Sequence, residues 1–420
     1  MNFKKIISFI LLYSSLFTNC FPIFAVETNK QDRKSTNYST KNYSKESNIN
    51  TKKEFSIDDL PAKSYILTQY ETGQVLYEKN ADEKLPIASI TKIMTILLVV
   101  EAIKENKISL KDKVTITEDA KPSNHESSIW ASVGEVVSLV DLLKATVVNS
   151  ANDAARSLAI HVAGSEKQFV EIMNKRAKEL GMKNTNFTNA TGLDEENNYS
   201  SARDVSIMAK ELLKCSWITN YTTIQYEKGG IRDGKINLGN TNKLLTTYKG
   251  CNGLKTGTEE KAGKCLCATA VRNKIPLCAV SLGSEKEPDR WKNCTTLLDY
   301  GFNNFQAIKL DNSEIEGKKI DVIKGKQNFV GCECEKNKEK TYLVKKTQAR
   351  NIKTKIECEE KIESPIKKGD IVGEISHIDD KGNVIYKQDI YAAENVERLN
   401  FPTIFNRLWK GFLTGSKFYD

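Results

Sequence analysis

Ser89 and Lys92 stand three residues apart in PIASITKIMT, residues 86–95, a stretch that is otherwise mostly apolar. On a helix that spacing puts both side chains on one face, with the amine within reach of the hydroxyl. A serine hydroxyl is a weak nucleophile until a base takes its proton, and a lysine serves as that base only when its own proton is easily lost. Burial among Ile90, Ile93 and Met94 would lower the pKa of the amine, and a second cation nearby would lower it further. Two later strings supply partners: Ser150-Ala151-Asn152 in VVNSANDAA, and Lys255-Thr256-Gly257, followed by Thr258, in GLKTGTEEK. The implied chemistry is nucleophilic catalysis without an imidazole. The three histidines, His125, His161 and His377, lack the neighbours of a Ser-His-Asp triad or a zinc peptidase. His161 reads as a core residue on an apolar helix face.

These residues need elements to hold them. SYILTQ and QVLYEK flank Glu71-Thr72-Gly73 and read as a β-hairpin. A helical run follows Ser89 through Ile93, Leu97 and Val100. Helical spacing then continues through SLVDLLKATVVNSANDAARSLAIHVAG and beyond, with Gly164 and Gly181 where helices would stop. LCATAVRN and PLCAVSLG alternate like the strands of one antiparallel pair. Strand, helices, strands is an α/β (α+β) mixture with a largely antiparallel sheet. After about Phe305 short β-type runs are separated by Lys, Asn and Gly turns, which predicts a small all-β module. In the last stretch, Phe401, Ile404, Phe405, Leu408, Trp409, Phe412 and Leu413 recur at helical spacing, with Arg407 and Lys410 on the other side. A basic amphipathic helix of this kind suits a membrane interface, and docking on the β module is the alternative.

The expected division is a leader at 1–25, a polar linker at 26–55, a catalytic domain at 56–304, the β module at 305–396 and the amphipathic helix at 397–420. The leader reading rests on Lys4 and Lys5 before an apolar run too short to span a membrane comfortably, with a cleavage site after Ala25. The linker is Asn, Ser, Thr and Lys with almost no aliphatic residues. The chain therefore reads as exported. A net charge of +9 over 420 residues suits anionic surroundings such as acidic lipid or wall polymers. No zinc-finger spacing and no basic aromatic platform points to nucleic acid. With Cys20 leaving in the leader, nine cysteines remain. Cys265 and Cys267 would share one strand face, as would Cys332 and Cys334, and buried thiols fit better than a metal site, although a disulfide is left open. No metal and no cofactor is expected.

The order S-x-x-K, S-x-N, K-T-G is the set found in penicillin-recognising serine enzymes. With it, the chain resembles the low-molecular-mass penicillin-binding proteins, the serine-type D-alanyl-D-alanine carboxypeptidases of peptidase family S11. The resemblance runs from about Ala62 to Val396 and includes GSEKQFVEIMNKRAKELGMKNTNFTNATGLD, NTNKLL and SPIKKGDIVGEI. It implies a β-lactamase/transpeptidase-like domain whose antiparallel sheet is flanked by helices, then a small β domain and a membrane-anchoring helix. It also implies roles. Ser89 attacks the terminal D-Ala–D-Ala bond of a peptidoglycan stem peptide and is acylated, and Lys92 takes its proton. Ser150 relays protons between Lys92 and the leaving amine, and Asn152 bonds the substrate backbone. Lys255 and Thr256 meet the terminal carboxylate, with Lys255 also the second cation. Gly257 lets a peptide lie against its strand, and the N–H groups of Ser89 and Thr258 form an oxyanion hole. β-Lactam antibiotics are the expected inhibitors. Ala151 in the second motif, and the lack of a Glu-x-x-Leu-Asn string after Asn152, argue against a β-lactamase. Transpeptidation and a non-catalytic wall-binding protein are the other readings weighed.

Overall fold

The structure is a computed structural model that describes residues 56–123, 126–308, 314–315, 317–334, 342–347, 352–379, 382 and 384–414. The expected leader with Cys20, the expected linker, and His125 lie outside the described residues.

A five-stranded antiparallel sheet carries the larger body. Its strands are β1 (Ser64–Gln69), β2 (Gln74–Lys79), β3 (Cys251–Glu259), β4 (Gly263–Arg272) and β5 (Ile275–Ser284), in the spatial order β2-β1-β5-β4-β3. The first hairpin turns where Glu71-Thr72-Gly73 lie, and β4 and β5 form the expected antiparallel pair. The order leaves β3, the strand of Lys255, at an edge.

Both faces of the sheet are covered, so its central strands read as nearly continuous apolar runs. On one face Ile66, Leu254, Cys265, Cys267, Cys278 and Val280 pack with helices α1 (Lys92–Lys104), α2 (Leu139–Lys144), α3 (Asn152–Ala163), α4 (Glu166–Glu179) and α5 (Ala202–Leu213). On the other, Leu67, Leu266, Ala268, Leu277 and Ala279 pack against Cys294, Leu297 and Leu298 of α6 (Glu287–Asn304). Each strand splits its side chains between the two layers by the period-two rule. Helix α1 is buried along nearly its whole length, from Lys92 to Val100. A helix apolar on all sides belongs inside a fold, and a lysine at its first position is drawn in with it.

Gly164 ends α3 in the left-handed region, and Gly181 follows α4 in the same region. The helical reading fails at one place. A π turn, Ala145–Asn149, follows α2 and gives way to Ser150 at φ +61°, so α3 begins only at Asn152. The apolar spacing persists across the break, which is why the sequence reads as one run. His161 differs too: it is half-buried on α3, with Nε2 3.1 Å from Asp112 Oδ2, because the adjacent loop supplies a carboxylate where an apolar neighbour was expected.

Among the described residues 305–392 all regular structure is strand. A six-stranded sheet takes Lys353–Cys358, Ile371–Ile378, Val384–Ala392, Phe329–Cys334, Lys319–Ile323 and Lys361–Glu363 in that spatial order. The module is tied to the first body through Leu343 of the strand Tyr342–Lys345, which pairs with Phe305–Ile308: the Leu343 carbonyl accepts from Gln74 Nε2 at 2.7 Å and its N–H donates to Gln74 Oε1 at 3.0 Å. The last helix, α7 (Phe401–Thr414), leaves its apolar residues in solvent. Phe401 is 78% and Phe412 81% exposed, which argues against docking on the β module. No helix among the described residues is long and apolar enough to cross a membrane. The nine described cysteines are unbridged. Cys267 and Cys278 lie 3.7 Å apart across β4 and β5, and their pairing together with burial raises the Cys267 thiol far above its ordinary pKa.

Candidate active site

The site is built around a sharp turn. Ala88 adopts φ +49° and starts a single 3₁₀ turn, Ala88–Thr91, that runs into α1. Ser89 is left partly exposed while Lys92 is fully buried. Two glycines make room for the turn. A Cβ on Gly257 of β3 would come within 2.6 Å of the Ile87 carbonyl oxygen and 3.2 Å of Ala88 Cβ. A Cβ on Gly192, at φ +83°, would sit 1.9 Å from the Ala88 carbonyl oxygen. The space left by Gly257 is therefore filled by the turn that carries Ser89 rather than held open for a peptide. This corrects the expectation drawn from sequence, although the strand edge itself stays free.

Lys92 Nζ lies 2.8 Å from Ser89 Oγ and donates to the Thr191 carbonyl oxygen at 2.7 Å. That carbonyl is itself held. Asn189 Oδ1 accepts from the N–H groups of Thr191 and Gly192 at 3.1 and 2.6 Å and from Thr191 Oγ1 at 3.0 Å. Glu166 accepts the Ala190 N–H, and Thr95 donates to the Ala190 carbonyl. Asn189, Thr191 and Gly192 lie in NATGLD, a string legible as part of the resemblance but without a role of its own.

Lys255, 1% exposed, reaches across to the second motif and donates to Ser150 Oγ at 2.7 Å and to the Thr256 carbonyl oxygen at 3.2 Å. The break before α3 makes this possible, because a continuous helix would not present Ser150 to the strand. The hydrogen bond on Ser150 Oγ comes from Lys255. Thr256 Oγ1 donates to Thr241 Oγ1 at 2.7 Å, and Thr258 stands exposed past the glycine. Asn152 is buried, with Nδ2 donating to Glu126 at 2.9 Å. Ser89, Lys92, Ser150, Lys255 and their neighbours Thr256 and Gly257 thus form one cluster. Arg290 of α6 was not foreseen. It donates to the Gly257 carbonyl oxygen at 3.2 Å and to Thr258 Oγ1 at 2.8 Å, with its guanidinium 4.5 Å from the Trp291 ring centroid. No short motif marks it, since it is one basic residue on an ordinary helix.

Two dry amines face each other through this cluster. Burial drives the Lys92 amine well below the usual lysine range, and the charges of Lys255 and then Arg156 push it further, against Glu259 and Glu126. Lys255 is lowered to about 7, by burial and then by Arg290. The neutral amine is the form able to accept a proton from a hydroxyl.

A family profile described as D-alanyl-D-alanine carboxypeptidase matches residues 49–286. The chain belongs to this family. A second profile, the C-terminal domain of penicillin-binding protein 5, matches residues 302–398. The D-alanyl-D-alanine carboxypeptidase DacF of Bacillus subtilis is 40% identical over 348 residues, which is 82% of this chain and 88% of that protein. Penicillin-binding protein 5 of Haemophilus influenzae superposes with a TM-score of 0.74 at 30% identity, over 81% of this chain and 98% of that one. Penicillin-binding protein D2 of Listeria monocytogenes, solved with ampicillin bound, does so with a TM-score of 0.53 at 32% identity, over 58% of this chain and 98% of that one. This D-alanyl-D-alanine carboxypeptidase is a hydrolase whose transpeptidase-like domain precedes an all-β one.

Two outcomes test this geometry. Gly192→Ala adds a carbon where the Ala88 carbonyl sits, in a left-handed conformation, and should cost on the order of 2–4 kcal/mol in a urea titration; an unchanged midpoint would remove the close-packing argument. Lys255→Met should melt above the wild type at neutral pH. Below about 7 the folded and unfolded wild-type chains both carry the proton, so burying it imposes its full cost. Between about 7 and the ordinary value of 10.5 only the unfolded chain keeps it, so the cost shrinks. The melting difference should therefore narrow from neutral towards alkaline pH, and a pH-independent difference would contradict the assignment.

Proposed function

We propose that Ser89 is the acylated nucleophile of an exported carboxypeptidase that removes the terminal D-alanine from peptidoglycan stem pentapeptides. The observation that carries this reading is the buried Lys92 amine 2.8 Å from Ser89 Oγ, with its proton made labile by burial and by Lys255. As Ser89 Oγ bonds to the carbonyl carbon of the penultimate D-alanine, Lys92 Nζ takes its proton. Negative charge gathers on the carbonyl oxygen, where the N–H groups of Ser89 and Thr258 receive it. Lys255 and Thr256 bind the terminal carboxylate, which places the scissile bond over Ser89. When the C–N bond breaks, the leaving nitrogen takes, by way of Ser150, the proton that Lys92 removed from Ser89, and D-alanine departs with Lys92 neutral again. Water then attacks the ester carbon, Lys92 accepts a proton from that water, and Ser89 Oγ regains its hydrogen.

A β-lactam meets the same nucleophile, but its broken C–N bond leaves the amine tethered, so it becomes a long-lived acyl group on Ser89. Slow loss of that group marks a carboxypeptidase, whereas rapid turnover would mark a β-lactamase. The exposed apolar face of α7, set after the β module, supports a role as an amphipathic anchor lying in the interface at the extracellular face of the cytoplasmic membrane. Residues 1–25 would serve as the export leader and 26–55 as a tether.

Ser89→Ala should abolish D-alanine release from a pentapeptide together with labelling by fluorescent penicillin, and residual labelling elsewhere would refute the nucleophile assignment. Lys92→Met should stay folded and lose roughly 10²–10⁴-fold in acylation rate, the range expected for removal of a general base. Truncation before Phe401 should leave kcat/KM unchanged and release the enzyme from anionic lipid vesicles in a flotation assay; unchanged partition would dispose of the anchor.

A further inference from the structure

Residues 126–131 and the start of α3 hold each other by exchanging carboxylates. From α3, Asp153 accepts the N–H groups of Ile129 and Ala131 at 3.1 and 3.3 Å. From the other side, Glu126 reaches back to α3. Arg156 Nη1 and Nη2 donate to its two oxygens at 2.9 and 2.7 Å, and Asn152 Nδ2 donates to Oε2 at 2.9 Å. The Ser123 N–H adds a bond to Oε1 at 2.5 Å. The Glu126 side chain is 3% exposed and that of Arg156 12%.

Burial alone would raise the Glu126 carboxyl, but Arg156 and the amides of Ser123 and Asn152 outweigh it and hold it below the ordinary carboxylate range. It is thus ionised at neutral pH, and an ionised carboxylate can only accept hydrogen bonds. A primary amide side chain can present either end to a neighbour, but only its NH₂ end can face this one. Glu126 therefore dictates how the Asn152 amide is turned. Asn152 Oδ1 is left buried without a partner. A buried carbonyl oxygen with no donor is unfavourable, and such groups persist where a ligand or a reaction step supplies one. Securing the segment does not require this arrangement, because Asp153 and the Asn152 N–H bond to Ser127 already fix its backbone.

We propose that Glu126, braced by Arg156, is a positioning residue for acylation: its carboxylate fixes the orientation of the Asn152 amide, so that this side chain meets the peptide substrate in one of its two possible turns. The inference rests on the reading that Asn152 touches the substrate. Nothing in the sequence around Glu126 signals it, since the residue lies outside all three motifs and meets Arg156 only through the fold.

The test is a double-mutant cycle. Glu126→Gln with Arg156→Met is made in the wild-type background and in Asn152→Ala, and removing both charges avoids stranding a guanidinium in a dry site. The readouts are kcat/KM on a D-Ala-D-Ala peptide, the second-order rate of penicillin labelling, and Tm. In the wild-type background both rates should fall about tenfold, the scale of one charge-assisted hydrogen bond. In the Asn152→Ala background the same pair should cause no further loss, because the residue it orients is gone. Equal losses in both backgrounds, or no loss in the first, would overturn the proposal. Full activity in Asn152→Ala alone would overturn it by a different route, by showing that Asn152 does not contact substrate. Glu126→Asp, which keeps the charge but shortens the reach, gives the same comparison if the paired variant does not fold.

Discussion

The enzyme depends on keeping two amines dry. Lys92 and Lys255 are both buried, and each is surrounded by groups that favour loss of its proton. Burying a cation is normally compensated by a carboxylate at contact distance. Here the contacts offered are weaker: a hydroxyl and a carbonyl oxygen for each amine. The protein thereby forgoes stability to obtain amines that give up their protons readily, the usual direction of compromise at an active site. The buried α1 and the edge strand β3 carry these nitrogens, and Thr191 and Ser150 lie against them from other segments.

The central helix, the sheet and the three motifs were legible in the sequence because they rest on local signals: apolar periodicity, alternation and short strings of chemically specific residues. The break at Ser150 was not legible, since the apolar spacing of Leu142, Val147, Ala154 and Leu158 continues through it and all four enter the same core. The purpose of Gly257 was misread for a related reason. A glycine in a strand announces a close approach, but not which neighbour makes it. Arg290 and Glu126 meet the site from sequence positions far from the residues they hold, and only the folded chain shows those pairings.

The β module shows the same division between pattern and pairing. Its strands could be read from short alternating runs, but its attachment could not. Leu343 exchanges two hydrogen bonds with the side chain of Gln74, an amide that stands in for the backbone of a further strand. Leu343 also packs into the layer under α6, so the two bodies share apolar contacts as well as polar ones.

The pair of glycines around the turn that carries Ser89 bears on how this enzyme could escape an antibiotic. A β-lactam is evaded most simply by changing the shape of the pocket that admits it. At positions 192 and 257 the inward space is already occupied by main-chain atoms of the turn itself. Any larger residue there would displace the serine before it hindered the drug. Variation that leaves this turn in place falls instead on exposed positions such as Thr258.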